Sequence, residues 1–153
     1  MIEVINLTKK YGPHLAIDRL NFTVKKGEVV GFLGPNGAGK TTTMKIITGY
    51  MAPTEGAVRV GGFDVFEAPL EVKKRIGYLP ETPPVYLDMF VEEYLCYVAR
   101  LKGLHAEVPQ MVDKALAKTN LLEVRKRLIK NLSKGFRQMV GIAQALVADP
   151  EIL

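Results

Sequence analysis

Gly34-Pro35-Asn36-Gly37-Ala38-Gly39-Lys40-Thr41 is the stretch that decides the fold of this chain. It reads Gly, four residues, Gly, Lys and then a hydroxyl side chain. Before it runs apolar Val29-Val30-Gly31-Phe32-Leu33, and after it Thr42-Thr43-Met44-Lys45-Ile46-Ile47, which suits the first two turns of a helix. Strand, Gly-rich loop and helix in that order make a phosphate cradle. Glycines let the backbone curl until successive N–H groups point inward, and the helix start adds unpaired donors and its positive dipole end. In such a cradle Lys40 reaches the β and γ phosphates and the Thr41 hydroxyl ligates Mg²⁺. The stretch therefore predicts an α/β chain that binds a nucleoside triphosphate.

The rest of the composition narrows the setting. The chain has 153 residues, enough for one domain with a real core, and 48% of them are apolar. Net charge is +5, with the densest basic group at Arg125-Lys126-Arg127, followed by Lys130, Lys134 and Arg137. No aromatic residues alternate with these cations, so they read as a solvated helical face rather than a nucleic-acid surface. A single cysteine, Cys96, excludes an internal disulfide, and its apolar helical setting reads as core. His14 and His105 are far apart and form no metal-ligand spacing. No apolar run approaches the roughly 18 residues of a membrane span. The N-terminus lacks the layout of a signal peptide. The expectation is a cytoplasmic chain with no direct membrane span and no direct nucleic-acid contact, which meets a membrane only through a partner.

Two hydrophobic periods divide the sequence. Leu20 to Val24 alternates, as a strand wet on one face does, and Ile2 to Leu7 is a looser candidate of the same kind. Val29 to Leu33 is apolar throughout, which predicts a parallel strand buried on both faces. Ala57 to Val60 and Ile76 to Leu79 are further short strand candidates, separated by turn residues such as Pro53-Thr54-Glu55-Gly56 and Gly61-Gly62. Beyond Pro83-Pro84 the period becomes helical. Val91, Tyr94, Leu95, Val98 and Leu101 predict one helix, Val108 to Leu116 a second, and Ser133 as N-cap a third, running to Val147. Glu151-Ile152-Leu153 reads as the start of another buried strand. Mixed strands, a helical insert and a return to strand predict boundaries at 1–86, 87–135 and 136–153.

With these elements placed, the chain resembles the ATPase subunit, or nucleotide-binding domain, of an ATP-binding cassette (ABC) transporter. The resemblance rests on several motifs in the family's order. Lys9-Lys10-Tyr11-Gly12 resembles the loop whose aromatic ring stacks on adenine, a contact of about 1–3 kcal/mol. Gly34 to Thr41 is the phosphate loop. Ile76-Gly77-Tyr78-Leu79-Pro80-Glu81 resembles the segment that usually ends in glutamine and touches both metal and membrane partner. Leu132-Ser133-Lys134-Gly135-Phe136-Arg137-Gln138 resembles the family signature. The implied fold is a P-loop NTPase core with an antiparallel β subdomain and an inserted α-helical subdomain. The implied ligands are ATP and Mg²⁺. Tyr11, Gly34, Pro35, Asn36, Gly37, Ala38, Gly39, Lys40, Thr41 and Thr42 would hold nucleotide, and Ser133 and Gly135 would complete the γ-phosphate pocket of a facing subunit. Thr41 and Glu81 would face the metal. The implied partners are a second nucleotide-binding subunit, as a homodimer, and an integral membrane permease, at the inner face of the cell membrane.

Departures from the family pattern qualify these expectations. Glu81 replaces glutamine, which keeps a metal ligand and adds a negative charge. Lys134 and Phe136 replace Gly and Gln of the signature, a version that resembles bacterial and archaeal exporters whose ATPase subunit is encoded separately. Met139 stands where arginine is common. The resemblance also implies an Asp-Glu pair two apolar residues beyond Leu153, then a dimer-contact loop and a histidine that senses the γ-phosphate. None of these lies within residues 1–153. The expectation is thus a truncated cassette, with C-terminal core strands missing and a bare sheet edge. It should bind ATP weakly and hydrolyse it poorly or not at all. Other readings are a soluble ABC-type ATPase acting on ribosomes or DNA, and a non-catalytic truncated regulator.

Overall fold

A computed structural model describes all residues, 1–153, and divides them into two compact units, Met1–Arg75 and Ile76–Leu153. In the first unit, strands β1 (Ile2–Tyr11) and β2 (His14–Val24) form a hairpin turned by Gly12-Pro13. Strands β3 (Glu55–Val60) and β4 (Phe63–Asp64) complete an antiparallel sheet of order β2-β1-β3-β4. Alternation holds where the ladder is regular, with Val4, Val58 and Val60 buried and Ile5 and Arg59 facing outward, whereas Leu7 and Thr8, beside a register shift, are both buried. Three shifts in the β1–β2 register increase the local twist, and one is fixed by an amide pair. There Asn21 Nδ2 donates to Asn6 Oδ1 at 2.9 Å and Asn6 N donates to Asn21 Oδ1 at 2.8 Å.

Helix α1 (Lys40–Ile47) follows the Gly-rich loop, as expected. It buries Thr43, Ile46 and Ile47, residues three and four apart, against this unit's core. Helix α2 (Pro69–Arg75) and strand β4 were not among the sequence expectations. The helix starts with a proline, which is pre-organised for a first turn, and is too short to display a period.

One sequence expectation fails here. Residues 29–33 form no strand, and Val29 and Leu33 are 101% and 93% exposed. A strand apolar on both faces needs hydrogen-bonded neighbours on both edges. No strand of this structure pairs with that segment. Ile76–Leu79 is likewise reduced to one parallel bridge, Ile76 to Ile152, with Gly77 N donating to Ile152 O at 2.8 Å. The observed sheet is therefore the antiparallel one, and the parallel core sheet is represented by that single bridge.

The second unit is helical. Helices α3 (Val91–Leu101), α4 (Val108–Lys118) and α5 (Lys134–Leu146) enclose a core that includes Leu95, Leu116, Leu121, Ile129 and Val140, each fully buried. Single 3₁₀ turns at Leu122–Val124 and Ile129–Asn131 lead into α5. Part of the basic run is tied into this frame, while Lys126, Arg127 and Lys134 are exposed, as a solvated face is. Arg125 donates to Glu92 at 2.5 and 3.1 Å and to Asp113 at 2.9 Å, joining the segment after α4 to α3 and α4. Lys130 pairs with Asp88 at 2.9 Å, and Arg137 caps the carbonyls of Ile129 and Lys130. Cys96 is half-buried, and burial pushes its thiol upward, as a packing residue requires.

Candidate nucleotide site

In the first unit Tyr11, His14, Ala16, Asn36, Gly37, Gly39, Lys40, Thr41 and Thr42 line one open cavity of about 320 Å³. The β1–β2 hairpin supplies the first three residues and the loop and α1 supply the rest. Gly39 shows why these two parts fit. Its φ is 82°, and a Cβ there would lie 2.6 Å from the Ala16 carbonyl oxygen. Only glycine allows the turn and the close approach to β2 together.

The helix start is presented unsatisfied. No side chain caps α1, and its first internal bond runs from Thr43 N to Gly39 O at 2.8 Å. The N–H groups of Lys40, Thr41 and Thr42 are therefore free for an anion. Lys40 folds over the loop, its ammonium donating to the carbonyls of Gly34 and Pro35 at 2.5 and 2.7 Å. A cation is thus already placed inside the curl, where phosphate oxygens can take over its hydrogen bonds. The four consecutive positions of α1 also divide by role. The Thr43 hydroxyl is buried and donates back to Gly39 O at 2.9 Å. The Thr41 and Thr42 hydroxyls line the cavity and make no hydrogen bond within the protein. A free hydroxyl oxygen is the hard donor that Mg²⁺ accepts beside phosphate and water, so Thr41 fits the metal role. No cluster of His, Cys, Asp and Glu that could hold a metal forms elsewhere.

Tyr11 is 45% exposed at the cavity edge. Lys9 lies over the ring, 5.5 Å from its centroid, and the phenol donates to Met51 Sδ at 3.3 Å. The ring is held from its polar end and offers a flat, half-open surface at the cavity mouth. His14 and Ala16 were missed by sequence reasoning. The signal that could have found them is hairpin register, which pairs Tyr11 with His14 and brings β2 under the loop.

Ser133, Gly135 and Glu81 belong to the second unit. Ser133 caps α5, its Oγ accepting from Phe136 N at 3.3 Å, and Ser133, Lys134 and Gly135 are exposed. This is a serine N-cap at an exposed loop entering a helix. Glu81 is exposed on a segment docked along α5. Gln138 Nε2 donates to the Glu81 carbonyl at 3.4 Å, and Gly141 packs so closely that a Cβ would sit 2.6 Å from Pro83 and 2.8 Å from Leu79. The segment that carries Glu81 and the helix that follows Ser133 therefore form one packed piece.

With this geometry in place, comparison with known proteins is direct. The profile of the family described as ABC transporter matches residues 17–153. The chain belongs to that family. It is 38% identical over 153 residues to the bacitracin transport ATP-binding protein BcrA of Bacillus licheniformis, covering 100% of this chain and 49% of that protein. The chain thus spans about half the length of that relative. A solved ATP-binding subunit of an ABC transporter matches with a TM-score of 0.88 at 33% identity, over 97% of this chain and 62% of the other. The ATP-binding cassette MJ0796, solved as a dimer in a post-hydrolysis state with ADP and Pi, matches with a TM-score of 0.84 at 26% identity, over 98% and 71%. The P-loop NTPase fold of the ABC cassettes, expected from the motifs, is therefore the fold of this chain.

Proposed function

We propose that this chain is the ATP-binding portion of an ABC transporter subunit that couples ATP binding and hydrolysis to export through a separate membrane protein. The observation that carries the reading is the convergence of Lys40, two unpartnered hydroxyls and three unpartnered N–H groups on a cavity edged by Tyr11. The adenine would stack on Tyr11. Lys40 and the free N–H groups of α1 would hold the β and γ phosphates, and Thr41 would hold Mg²⁺, which neutralises phosphate charge. Ser133 and Gly135 would face the γ-phosphate held by a second copy, so that nucleotide joins two subunits. The similarity to a cassette solved as a dimer supports that arrangement. Glu81, carried on the segment packed against α5, would face Mg²⁺ and the membrane subunit at the inner face of the membrane. No helix of the chain is long and apolar enough to cross a membrane. Export rather than uptake rests on the signature variant at Leu132–Gln138 and on similarity to a bacitracin transport protein.

Residues 1–153 alone would bind nucleotide weakly and turn it over poorly. No Asp or Glu lines the cavity, so no carboxylate there polarises an attacking water. The loop's N-terminal flank, residues 29–33, also pairs with no strand, and of its residues only Phe32, packed on Phe22, is partly covered. Binding of a fluorescent ATP analogue to the chain, with Lys40→Ala as reference, tests both statements. The expected result is measurable binding, at least about tenfold weaker in the variant, without phosphate release. Binding unaffected by Lys40→Ala would overturn the site. Turnover by the 153-residue chain that Lys40→Ala abolishes would overturn the claim of binding without hydrolysis.

A further inference from the structure

Five asparagines occur in this chain, and only Asn36 precedes a glycine. Asn6, Asn21, Asn120 and Asn131 are each followed by leucine or phenylalanine, whose side chains hinder the following backbone nitrogen. The Asn6 and Asn21 amides are further held by each other. Asn36 and Gly37 are exposed at the centre of a four-residue turn closed by Ala38 N donating to Pro35 O at 3.2 Å. Gly37 has φ 84°, as the third residue of such a turn requires. Neither the Asn36 side-chain amide nor the Gly37 N–H makes a hydrogen bond. A free amide, a free nitrogen and a residue with no Cβ barrier to rotation are the ingredients of intramolecular cyclisation.

We propose that Asn36 is a spontaneous deamidation site inside the phosphate loop, and that bound nucleotide suppresses the reaction. The Gly37 nitrogen attacks Cγ of Asn36 and loses its proton. A new C–N bond closes a five-membered succinimide, the bond from Cγ to the amide nitrogen breaks, and ammonia leaves. Water then adds to either succinimide carbonyl and opens the ring to an aspartyl or isoaspartyl residue. Both products place a carboxylate among groups arranged for phosphate, and the isoaspartyl product also lengthens the backbone of the curl. The suppression rests on the nucleotide reading above: a phosphate oxygen accepting the Gly37 N–H would withhold the nucleophile and fix the turn. The modification rests only on the turn itself.

The test ages the full 153-residue chain in mildly alkaline buffer at physiological temperature, with and without ATP and Mg²⁺. Analogue binding is measured on fresh protein first. Tryptic mapping follows the peptide spanning 27–40, which gains about one dalton on deamidation, and enzymatic methylation detects the isoaspartyl form. Asn36 should convert at least about tenfold faster than the other four asparagines, and Asn36→Asp should weaken analogue binding by about tenfold or more. Asn36→Gln, whose longer side chain disfavours the same ring, should age without the loss. Conversion of Asn36 no faster than of Asn120 or Asn131 overturns the modification. If fresh protein binds nucleotide yet saturating ATP leaves the rate unchanged, the suppression is overturned while the site stands. Fresh protein that binds no nucleotide counts against the proposed function instead, because the conversion without ATP remains readable.

Discussion

Replacing Gly39 by alanine should damage the cradle more than the same change at Gly34, although both are fixed positions of one motif. At Gly39 the backbone is left-handed, φ 82°, which costs an L-residue about 1–2 kcal/mol. The new Cβ would also lie 2.6 Å from the Ala16 carbonyl oxygen and 3.2 Å from Ile17 Cγ1. That contact is with backbone of a sheet strand, so relief requires the loop to lift from β2, for about 1–3 kcal/mol. Reduced freedom of the unfolded chain returns about 0.4–1 kcal/mol. The net expectation is a loss of about 2–4 kcal/mol, seen as a melting decrease on the order of 5–15 °C in a chain of this size. At Gly34 no positive φ is involved, and the nearest atom is Ala38 Cβ at 3.3 Å, so the cost should stay below about 1 kcal/mol. Thermal unfolding by circular dichroism, run beside analogue binding, compares the two variants. Equal melting temperatures for Gly39→Ala and Gly34→Ala would falsify the claim that the loop is seated on β2 through Gly39.

Other perturbations separate the helical unit from the cradle. Leu95→Ala removes a fully buried side chain among α3, α4 and α5 and should cost about 2–5 kcal/mol in chemical denaturation. An effect below about 1 kcal/mol would contradict the packing described. Arg125, donating to Glu92, holds the Glu92 carboxyl below the usual range. A depressed carboxylate stabilises the fold above its unfolded pKa, and that contribution is lost as pH falls through the lower folded value. Stability measured against pH should therefore fall on the acid side less steeply in Glu92→Gln than in the parent, and parallel curves would show that the ion pair contributes nothing.

The site was legible in the sequence where a motif constrains backbone chemistry. The phosphate loop needs glycines at fixed spacing, Ser133 needs a short hydroxyl at the start of an amphipathic run, and both appear where expected. Helices α3 and α5 were legible because their buried residues recur three and four apart. Residues 29–33 were misread because an apolar run reports what a segment would bury, not whether a neighbour exists to bury it. Strand β4 and helix α2 are too short to carry a period, and their places are set by partners. His14 and Ala16 carry no motif, and reach the cavity through hairpin register alone. Of the basic residues 125–137, Lys126, Arg127 and Lys134 are the solvated face the sequence suggested, while the pairing of Arg125 with Glu92 and of Lys130 with Asp88 was hidden by sequence distance.

The misread segment bears directly on how tightly the cradle can work. On one side the loop is anchored by α1, through the buried Thr43, Ile46 and Ile47. On the other side it leads back to Val29, Val30 and Leu33, all exposed. Burial would stabilise each of those side chains by about 1.5–3 kcal/mol. Together that is comparable with the whole stability of a small domain. Pairing this segment into a sheet would therefore do more than cover apolar surface. It would fix the second end of the loop and lower the ordering entropy that a bound phosphate must otherwise overcome. On this reasoning the Gly-rich stretch determines which ligand the cavity accepts, while pairing of residues 29–33 would determine how strongly.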